Sequence, residues 1–322
     1  MSDSRVIDLD IRSFISKHYS HFNAGELSRC SDSLREFLDG DGRLMVTLAG
    51  AMSTAEIGKS LAPAIRNQRI HAICCTGANL EEDLFGLIAR SQYESITEWR
   101  QQSADDDALL AERGMNRVTD VAIPETVIQA VGKKALELWE EAEAVGDSRF
   151  PHEFLYDLVL HGEMDFSSNP EDSWIIAAAD ANLPIFTPGW EDSTLGNLLA
   201  AKVLDCTLKG NGMVRGGLDA MQALADWYRE DDSPTGMLQV GGGIAGDFAI
   251  SVVPMLRQDA NLEVPLWAWF AQISESRPSY GGYSGAPPNE KISWGKIDAG
   301  TPSFVIESDA SIVLPLLLAS LE

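Results

Sequence analysis

Met237-Leu-Gln-Val-Gly-Gly-Gly-Ile-Ala245 is the stretch that decides the fold. A short apolar run ends in three glycines, which reads as a strand entering a turn with no side chains to keep a ligand away. The same order recurs along the chain. Arg43-Leu-Met-Val-Thr-Leu-Ala49 leads into Gly50-Ala-Met-Ser-Thr54, and Ile70-His-Ala-Ile-Cys-Cys75 leads into Thr76-Gly-Ala-Asn-Leu-Glu-Glu-Asp83. Leu183-Pro-Ile-Phe186 is followed by Thr187-Pro-Gly-Trp-Glu-Asp-Ser-Thr-Leu-Gly-Asn197. Val264 to Phe270 and Ser303-Phe-Val-Ile306 read as further strands. Ser53 and Glu56 have capping-box spacing and predict a helix start there. Leu218, Met221, Leu224 and Trp227 recur at the helical period. The alternation of strand, polar or glycine turn, and helix predicts an α/β fold with a mostly parallel sheet covered on both faces. Residues 101–117 and 272–289 read as loops or a lid, the first rich in Gln, Ser and Asp, the second in Ser, Gly, Pro and Tyr. No internal repeat or clean boundary divides the chain, so a single domain over 1–322 is expected, with 1–42 as an N-terminal helical extension.

The chain has 322 residues, 45% of them hydrophobic and 23% charged, enough apolar material for a full core. Its formal net charge of −25 argues against nucleic acid or anionic lipid bound through a broad basic surface. That charge suits a cationic substrate, and it equally serves solubility alone. Cys30, Cys74, Cys75 and Cys206 form no CxxC pair, which fits a reduced, cytoplasmic protein. The first ten residues lack the apolar stretch of a signal peptide, and the run Ile312 to Leu321 is interrupted by Pro315 and too short to span a bilayer. His18, His21, His71, His152 and His161 show no metal spacing, so no metal is expected, and no Ser-His-Asp set is recognisable.

The polar clusters each follow the C-terminal end of an apolar run, the edge where open α/β sheets hold their ligands. Gly241-Gly-Gly243 lets backbone approach a pyrophosphate, although three glycines also make an ordinary turn, and no GxGxxG opens a first βαβ unit. Asp309 suits ribose hydroxyls or the N-cap of the last helix. Glu81 and Glu82 suit either the positive end of a helix or an ammonium group. Lys296, one of eight lysines, stands near Glu290 and Trp294 in Glu290-Lys-Ile-Ser-Trp-Gly-Lys296-Ile. Most lysines are solvated surface groups. Here a tryptophan wall can hold a cation, and a desolvated lysine amine can attack an imine. The glycine loop and this cluster together point to redox chemistry on an amine.

Ser293-Trp-Gly-Lys-Ile297, Gly241-Gly-Gly243, Glu81-Glu-Asp-Leu84, Pro184-Ile-Phe-Thr-Pro188 with Asp192 and Leu195-Gly196, and Ser308-Asp-Ala-Ser311 before Leu314-Pro-Leu-Leu occur in one order from about residue 43 to 320. In that combination the sequence resembles the deoxyhypusine synthase family. The resemblance implies a Rossmann-like α/β fold, homotetramers with active sites at dimer interfaces, and tightly held NAD. It implies oxidation of a polyamine to an imine, transfer of the aminobutyl group to an enzyme lysine, and delivery to an acceptor amine. The matching lysine is Lys296. To NAD the resemblance assigns Gly50, Ala51, Met52, Ser53, Thr54, Thr76, Gly77, Ala78, Glu82, Asp192, Gly242, Phe270, Ala271, Asp309 and Ala310. To the amine it assigns Glu81, Glu290 and Trp294, with three altered positions. The family's aspartate after Leu-Gly is Asn197 here, its histidine after the glycines is Asp247 with Gly246 in place of the preceding lysine, and a further aspartate falls at Tyr283. The expected activity is NAD-dependent aminoalkyl transfer on small di- or polyamines, homospermidine formation being one form. The alternatives are a true deoxyhypusine synthase acting on a lysine of the hypusine-containing translation factor, and a non-catalytic NAD- or amine-binding protein.

Overall fold

A computed structural model describes residues 10–162 and 164–321. The strands are β1 (Arg43–Leu48), β2 (Ala72–Cys75), β3 (Glu94–Ser95), β4 (Met115–Val118), β5 (Val121–Pro124), β6 (Ile185–Phe186), β7 (Thr235–Val240), β8 (Trp269–Ile273) and β9 (Ser303–Ile306). Six of them form one sheet in the order β6-β2-β1-β7-β8-β9, every pair parallel. Counted along the chain within this sheet, that order is 3-2-1-4-5-6, the doubly wound arrangement of dinucleotide-binding folds. The strand order reverses between β1 and β7, which pair in register from Arg43↔Thr235 to Leu48↔Val240.

The helices are α1 (Ile11–His18), α2 (Phe22–Asp39), α3 (Gly58–Arg66), α4 (Gly77–Ala89), α5 (Ala104–Glu112), α6 (Glu125–Val145), α7 (Pro151–His161), α8 (Trp174–Asp180), α9 (Thr194–Leu204), α10 (Gly217–Arg229), α11 (Gly243–Ile250), α12 (Val252–Pro254, running into a π-helical turn to Asp259), α13 (Pro288–Ser293) and α14 (Ala310–Ala319). Side chains alternate across the strands and so feed two cores. Leu44, Val46 and Leu48 of β1 pack with α2, α3, α4, α6, α8 and α14, whereas Met45, with Met237 and Phe270, packs with α10, α11 and α12. Strands apolar on both faces are what a sheet covered on both sides requires, and β1, β2, β7 and β8 are buried throughout. Helix α2 of the 1–42 segment packs on the β8–β9 end of the sheet, and residues 1–9 lie outside the described residues.

Three local expectations are corrected. No helix starts at Ser53: the chain turns until α3, Glu56 takes a left-handed φ of 59°, and Ser53 points inward to donate to the Asn79 carbonyl at 2.6 Å. Residues 101–117 are not a loop. Ser103 and Asp106 form a reciprocal capping box that starts α5, and β4 pairs with β5 in a three-stranded antiparallel sheet, β3-β5-β4. The strand expected over 264–270 lies later, at Trp269–Ile273, because Pro265 has no N–H for the ladder. Among the described residues, no helix is long and apolar enough to cross a membrane. Cys30, Cys74 and Cys75 are buried free thiols, and Cys206 is an exposed one.

Candidate active site

The parallel strands deliver their C-terminal ends to one edge. At the end of β1 the chain turns through Gly50, whose φ is +62°. Asn79, fully buried in the first turn of α4, staples this turn. Its amide nitrogen lies 2.9 Å from the Gly50 carbonyl and 2.8 Å from Thr76 Oγ1, and its Oδ1 accepts from the Ser53 backbone N–H at 3.1 Å. Thr76 Oγ1 donates to the Gly50 carbonyl at 2.7 Å and also N-caps α4. Thr54 bonds Glu82. Residues Gly50 to Thr54, Thr76 to Ala78 and Glu82 are thereby one unit. A cleft of about 680 Å³ opens beside it, lined by Ala51, Thr54, Arg90, Tyr93, Thr119 and Ser311. A β-carbon built at Gly50 or Gly243 would meet nothing within 4 Å, so both turns face open space.

The acids of α4 are poised by burial. Glu82 is pushed up to about 7 by desolvation, with the Thr54 hydrogen bond opposing. Asp83 is raised to about 6 by burial, against hydrogen bonds from Ser173 and the Ile175 N–H. Glu81 is raised by burial too, against backbone donors. Its two oxygens accept from the Thr194 N–H at 2.8 Å and the Leu195 N–H at 2.9 Å, so it closes the N-terminus of α9. Asn197, on α9, donates to the carbonyls of Ser193 at 2.7 Å and Glu191 at 3.1 Å. Asp192 lies exposed just before that helix. Asp309 caps α14, accepting from the Ser311 N–H at 2.8 Å, with Ala310 beside it. Phe270 and Ala271 lie mid-strand in β8 and are fully buried.

The glycine turn is covered on one side, at Gly242 and the Gly243 N–H, and open on the other, over the Gly243 Cα. Ser284 Oγ accepts from the Gly243 N–H at 3.0 Å, and a β-carbon at Gly242 would lie 2.2 Å from that hydroxyl. Only a glycine at 242 lets the 274–287 segment cross so closely. Two glutamines in register on β7 and β8 hold the segment down. Gln239 Oε1 accepts from the Tyr283 hydroxyl at 2.6 Å, and Gln272 Nε2 donates to the Ser284 carbonyl at 2.7 Å.

Tyr283 also forms the wall of a separate cleft of about 590 Å³ that holds Asp247, Glu290, Lys291, Trp294 and Lys296. Helix α13 ends in a Schellman motif. Gly295 takes a left-handed φ of 68°, its N–H donates to the Ile292 carbonyl at 3.0 Å, and the Lys296 N–H donates to the Lys291 carbonyl at 3.0 Å. The Trp-Gly-Lys order is therefore a helix stop that turns Lys296 back into the cleft. Lys296 is 8% exposed, and its ammonium donates to Asp247 Oδ1 at 3.0 Å. Its Nζ lies 5.4 Å from the Tyr283 ring centre, within cation–π range. Trp294 is 67% exposed at the cleft mouth.

Asp247, Tyr283, Glu290, Trp294 and Lys296 thus share one cleft, whereas Glu81 and Asn197 lie apart from it, at the junction of α4 and α9. Asn79 and Lys291 went unnoticed in the sequence. Asn79 stood in the helix-capping stretch Thr76-Gly-Ala-Asn, and Lys291 stood four residues before a glycine of helix-stopping type. Among the described residues, no group of three or more His, Cys, Asp or Glu side chains is arranged to hold a metal.

The deoxyhypusine synthase family model matches residues 15–321. A deoxyhypusine synthase-like protein from a Nostoc species is 30% identical over 328 residues, covering 97% of this chain and 81% of that one. A "Probable deoxyhypusine synthase 2" from Methanosarcina mazei is 27% identical over 283 residues, covering 87% and 77%. The crystal structure of a candidate deoxyhypusine synthase from Entamoeba histolytica has the same fold, with a TM-score of 0.59 at 12% identity over 97% of this chain and 93% of that one. With its doubly wound sheet and a family match over nearly its whole length, this chain belongs to the deoxyhypusine synthase family.

Proposed function

We propose that this protein is an NAD-dependent aminoalkyl transferase acting on small di- or polyamines, with Lys296 as the carrier of the transferred group. The observation that carries the reading is the Lys296 amine, buried beside Asp247 in a cleft walled by Tyr283, Glu290 and Trp294. A desolvated primary amine beside a cation-binding aromatic wall is suited to imine exchange. The open space over Gly50 and Gly243 at the strand-order reversal fits a dinucleotide, which Gly50 to Thr54, Thr76 to Ala78 and Asp309 would hold. When bound, NAD supplies the acceptor for hydride from the amine and later its donor.

The residues of this chain do the rest. Glu290 provides a carboxylate for a substrate ammonium group, Asp247 pairs with Lys296, and Trp294 covers the mouth. Once its ammonium has passed a proton to the Asp247 carboxylate, the Lys296 amine adds to the substrate imine carbon, the adduct expels the smaller amine, and the aminoalkyl group remains as an imine on Lys296. One C=N bond replaces another, and the proton lost by Lys296 leaves on the departing amine, so the step has no net redox change. Relative to the family pattern, carboxylates are absent at Asn197 and Tyr283, which favours an acceptor and donor different from those of protein-lysine modification. Homospermidine formation from spermidine or putrescine fits that change. Exposed Ile244, Ile312 and Trp294 near this edge favour self-association, and a homotetramer is the proposed assembly.

Incubation with NAD and a panel of amines, with and without the translation factor, followed by mass spectrometry tests the reading. A free polyamine product is expected; a modified factor would establish protein-lysine modification instead. Borohydride during turnover should trap an adduct on Lys296. Lys296→Ala should abolish transfer with NAD binding nearly intact, and Lys296→Arg should fail as well, since a guanidinium stays protonated. Full transfer by Lys296→Ala would refute the covalent role.

A further inference from the structure

Lys291 is the second lysine of the cleft, and neither the family motif nor the covalent step uses it. It is 2% exposed, more buried than Lys296. Its Nζ donates to the Ala286 carbonyl at 2.9 Å and lies 4.8 Å from the Phe270 ring centre and 5.0 Å from that of Tyr283. An ammonium has three N–H donors to satisfy, and a buried one ordinarily has a carboxylate beside it. Asp247 pairs with Lys296 instead, and among the described residues no carboxylate lies within ion-pair distance of Lys291. The Schellman motif fixes the two lysines side by side: the Lys291 carbonyl accepts the Lys296 N–H, and both amines flank one tyrosine ring.

We infer that Lys291 is a further catalytic residue, the proton acceptor that converts the bound substrate ammonium to the free amine from which hydride can leave. The inference rests on the amine-transfer reading above. An ammonium has no lone pair to support loss of hydride from its neighbouring carbon, so the proton must leave first. In the step, R–NH2⁺–R′ and the neutral Lys291 amine become R–NH–R′ and the Lys291 ammonium. The N–H bond of the substrate breaks, its electron pair stays on the substrate nitrogen, and the Lys291 lone pair takes the proton.

The electrostatics agree with the geometry. Burial first, and then the charge of Lys296, lower Lys291 to about 8, against the opposing influence of Glu290 on its own helix and Asp247 on α11. The Tyr283 phenol, itself pushed well up by burial, contributes no charge, and Asp259 lines the same cleft. Near neutral pH a useful fraction of Lys291 is therefore free amine, the condition for a general base. At 247 this chain has an acid already paired with Lys296, so that carboxylate is not free to take the substrate proton.

The test follows absorbance of the reduced nicotinamide as NAD-loaded protein meets spermidine or putrescine across pH 6 to 10. Wild-type protein should show a rate limb rising through roughly pH 8. Lys291→Met, which keeps the stem, and Lys291→Arg, which keeps the charge, should each slow amine oxidation roughly 100-fold or more and erase that limb. Added methylamine should partly rescue Lys291→Ala, a response that a purely structural lysine would not give. NAD affinity and thermal unfolding of Lys291→Met separate loss of the base from loss of the fold. Wild-type rate and pH limb in Lys291→Met would overturn this assignment alone, as would a borohydride adduct on Lys291. Absence of oxidation of any amine by wild-type protein would overturn the transferase reading together with it.

Discussion

Replacing Glu81 with alanine separates two roles for one carboxylate. Glu81 is 3% exposed and lies in α4, yet both oxygens serve α9, at 2.8 Å from the Thr194 N–H and 2.9 Å from the Leu195 N–H. The first N–H groups of a helix have no partner within it, and a negative charge there also meets the positive end of the dipole. Ser193 Oγ already accepts from the Gly196 N–H at 3.0 Å and cannot serve the other two. Alanine leaves the Leu195 donor buried and unpaired, at roughly 1–3 kcal/mol, and the half-buried Thr194 donor without its charged partner at less, or about 2–4 kcal/mol together. With an unfolding entropy near 2.1 cal/mol/K per residue, a chain of this length has about 0.7 kcal/mol/K, so Tm should fall by roughly 3–6 °C. Glu81→Gln keeps one acceptor oxygen and should lose about half as much. The assay is thermal unfolding by circular dichroism, paired with the KM for amine. A Glu81→Ala protein melting within a degree of wild type while its amine KM rises would refute the capping argument and make Glu81 an ammonium partner.

Two other perturbations follow from the same edge. Glu82 titrates near 7 in the folded protein against 4.5 as its ordinary value. Between those values only the native state holds the proton, so stability falls as pH rises through that window. At 1.36 kcal/mol per unit, and allowing for partial exposure, the loss is roughly 2–3 kcal/mol. Urea unfolding at pH 5, 6 and 7 should show that slope in wild type and a flatter one in Glu82→Gln; equal slopes would contradict it. Asn79→Ala should cost about 1–3 kcal/mol, because the buried Ser53 N–H loses its side-chain partner and the Gly50 carbonyl keeps only Thr76 of its two side-chain donors. It should also weaken NAD binding by calorimetry, since the turn loosens; unchanged affinity would detach this turn from the cofactor.

The sheet was legible because its central strands are short apolar runs, buried on both faces and followed by glycine or threonine turns. Where a run was misplaced, as at Val264 to Phe270, a proline inside it was the available warning. The α5–β4 region read as loop because its helix buries little: only Leu110 is buried, and capping rather than periodicity starts it. The cleft was legible where neighbours in sequence stay neighbours in space, as with Glu290, Trp294 and Lys296. It was not legible where burial depends on distant chain. The partners of Glu81 lie 113 and 114 residues away, so local reading offered the start of its own helix instead. Lys291 was passed over because a lysine is ordinarily a surface residue, and only the left-handed turn at Gly295 reveals that positions 291 and 296 meet.

The altered positions in the cleft are physically coupled. A β-carbon at Gly246 would lie 2.9 Å from Tyr283 Cε1 and 3.1 Å from Gln239 Cδ, so a side chain at 246 and the tyrosine ring compete for one space. The tyrosine is fixed there by its hydrogen bond to Gln239, and its ring lies beside both Lys291 and Lys296. Asp247, one residue on, supplies the anion that the Lys296 ammonium faces. A lysine restored at 246 would displace Tyr283, and a histidine restored at 247 would take the counter-ion from Lys296. Residues sharing partners in this way change together with non-additive effects. The cleft is therefore one rewritten unit in which a lysine from α13 stands beside Lys296, the proposed nucleophile, while the glycine and threonine turns at the proposed nucleotide edge keep the motifs in which the sequence resembles the family.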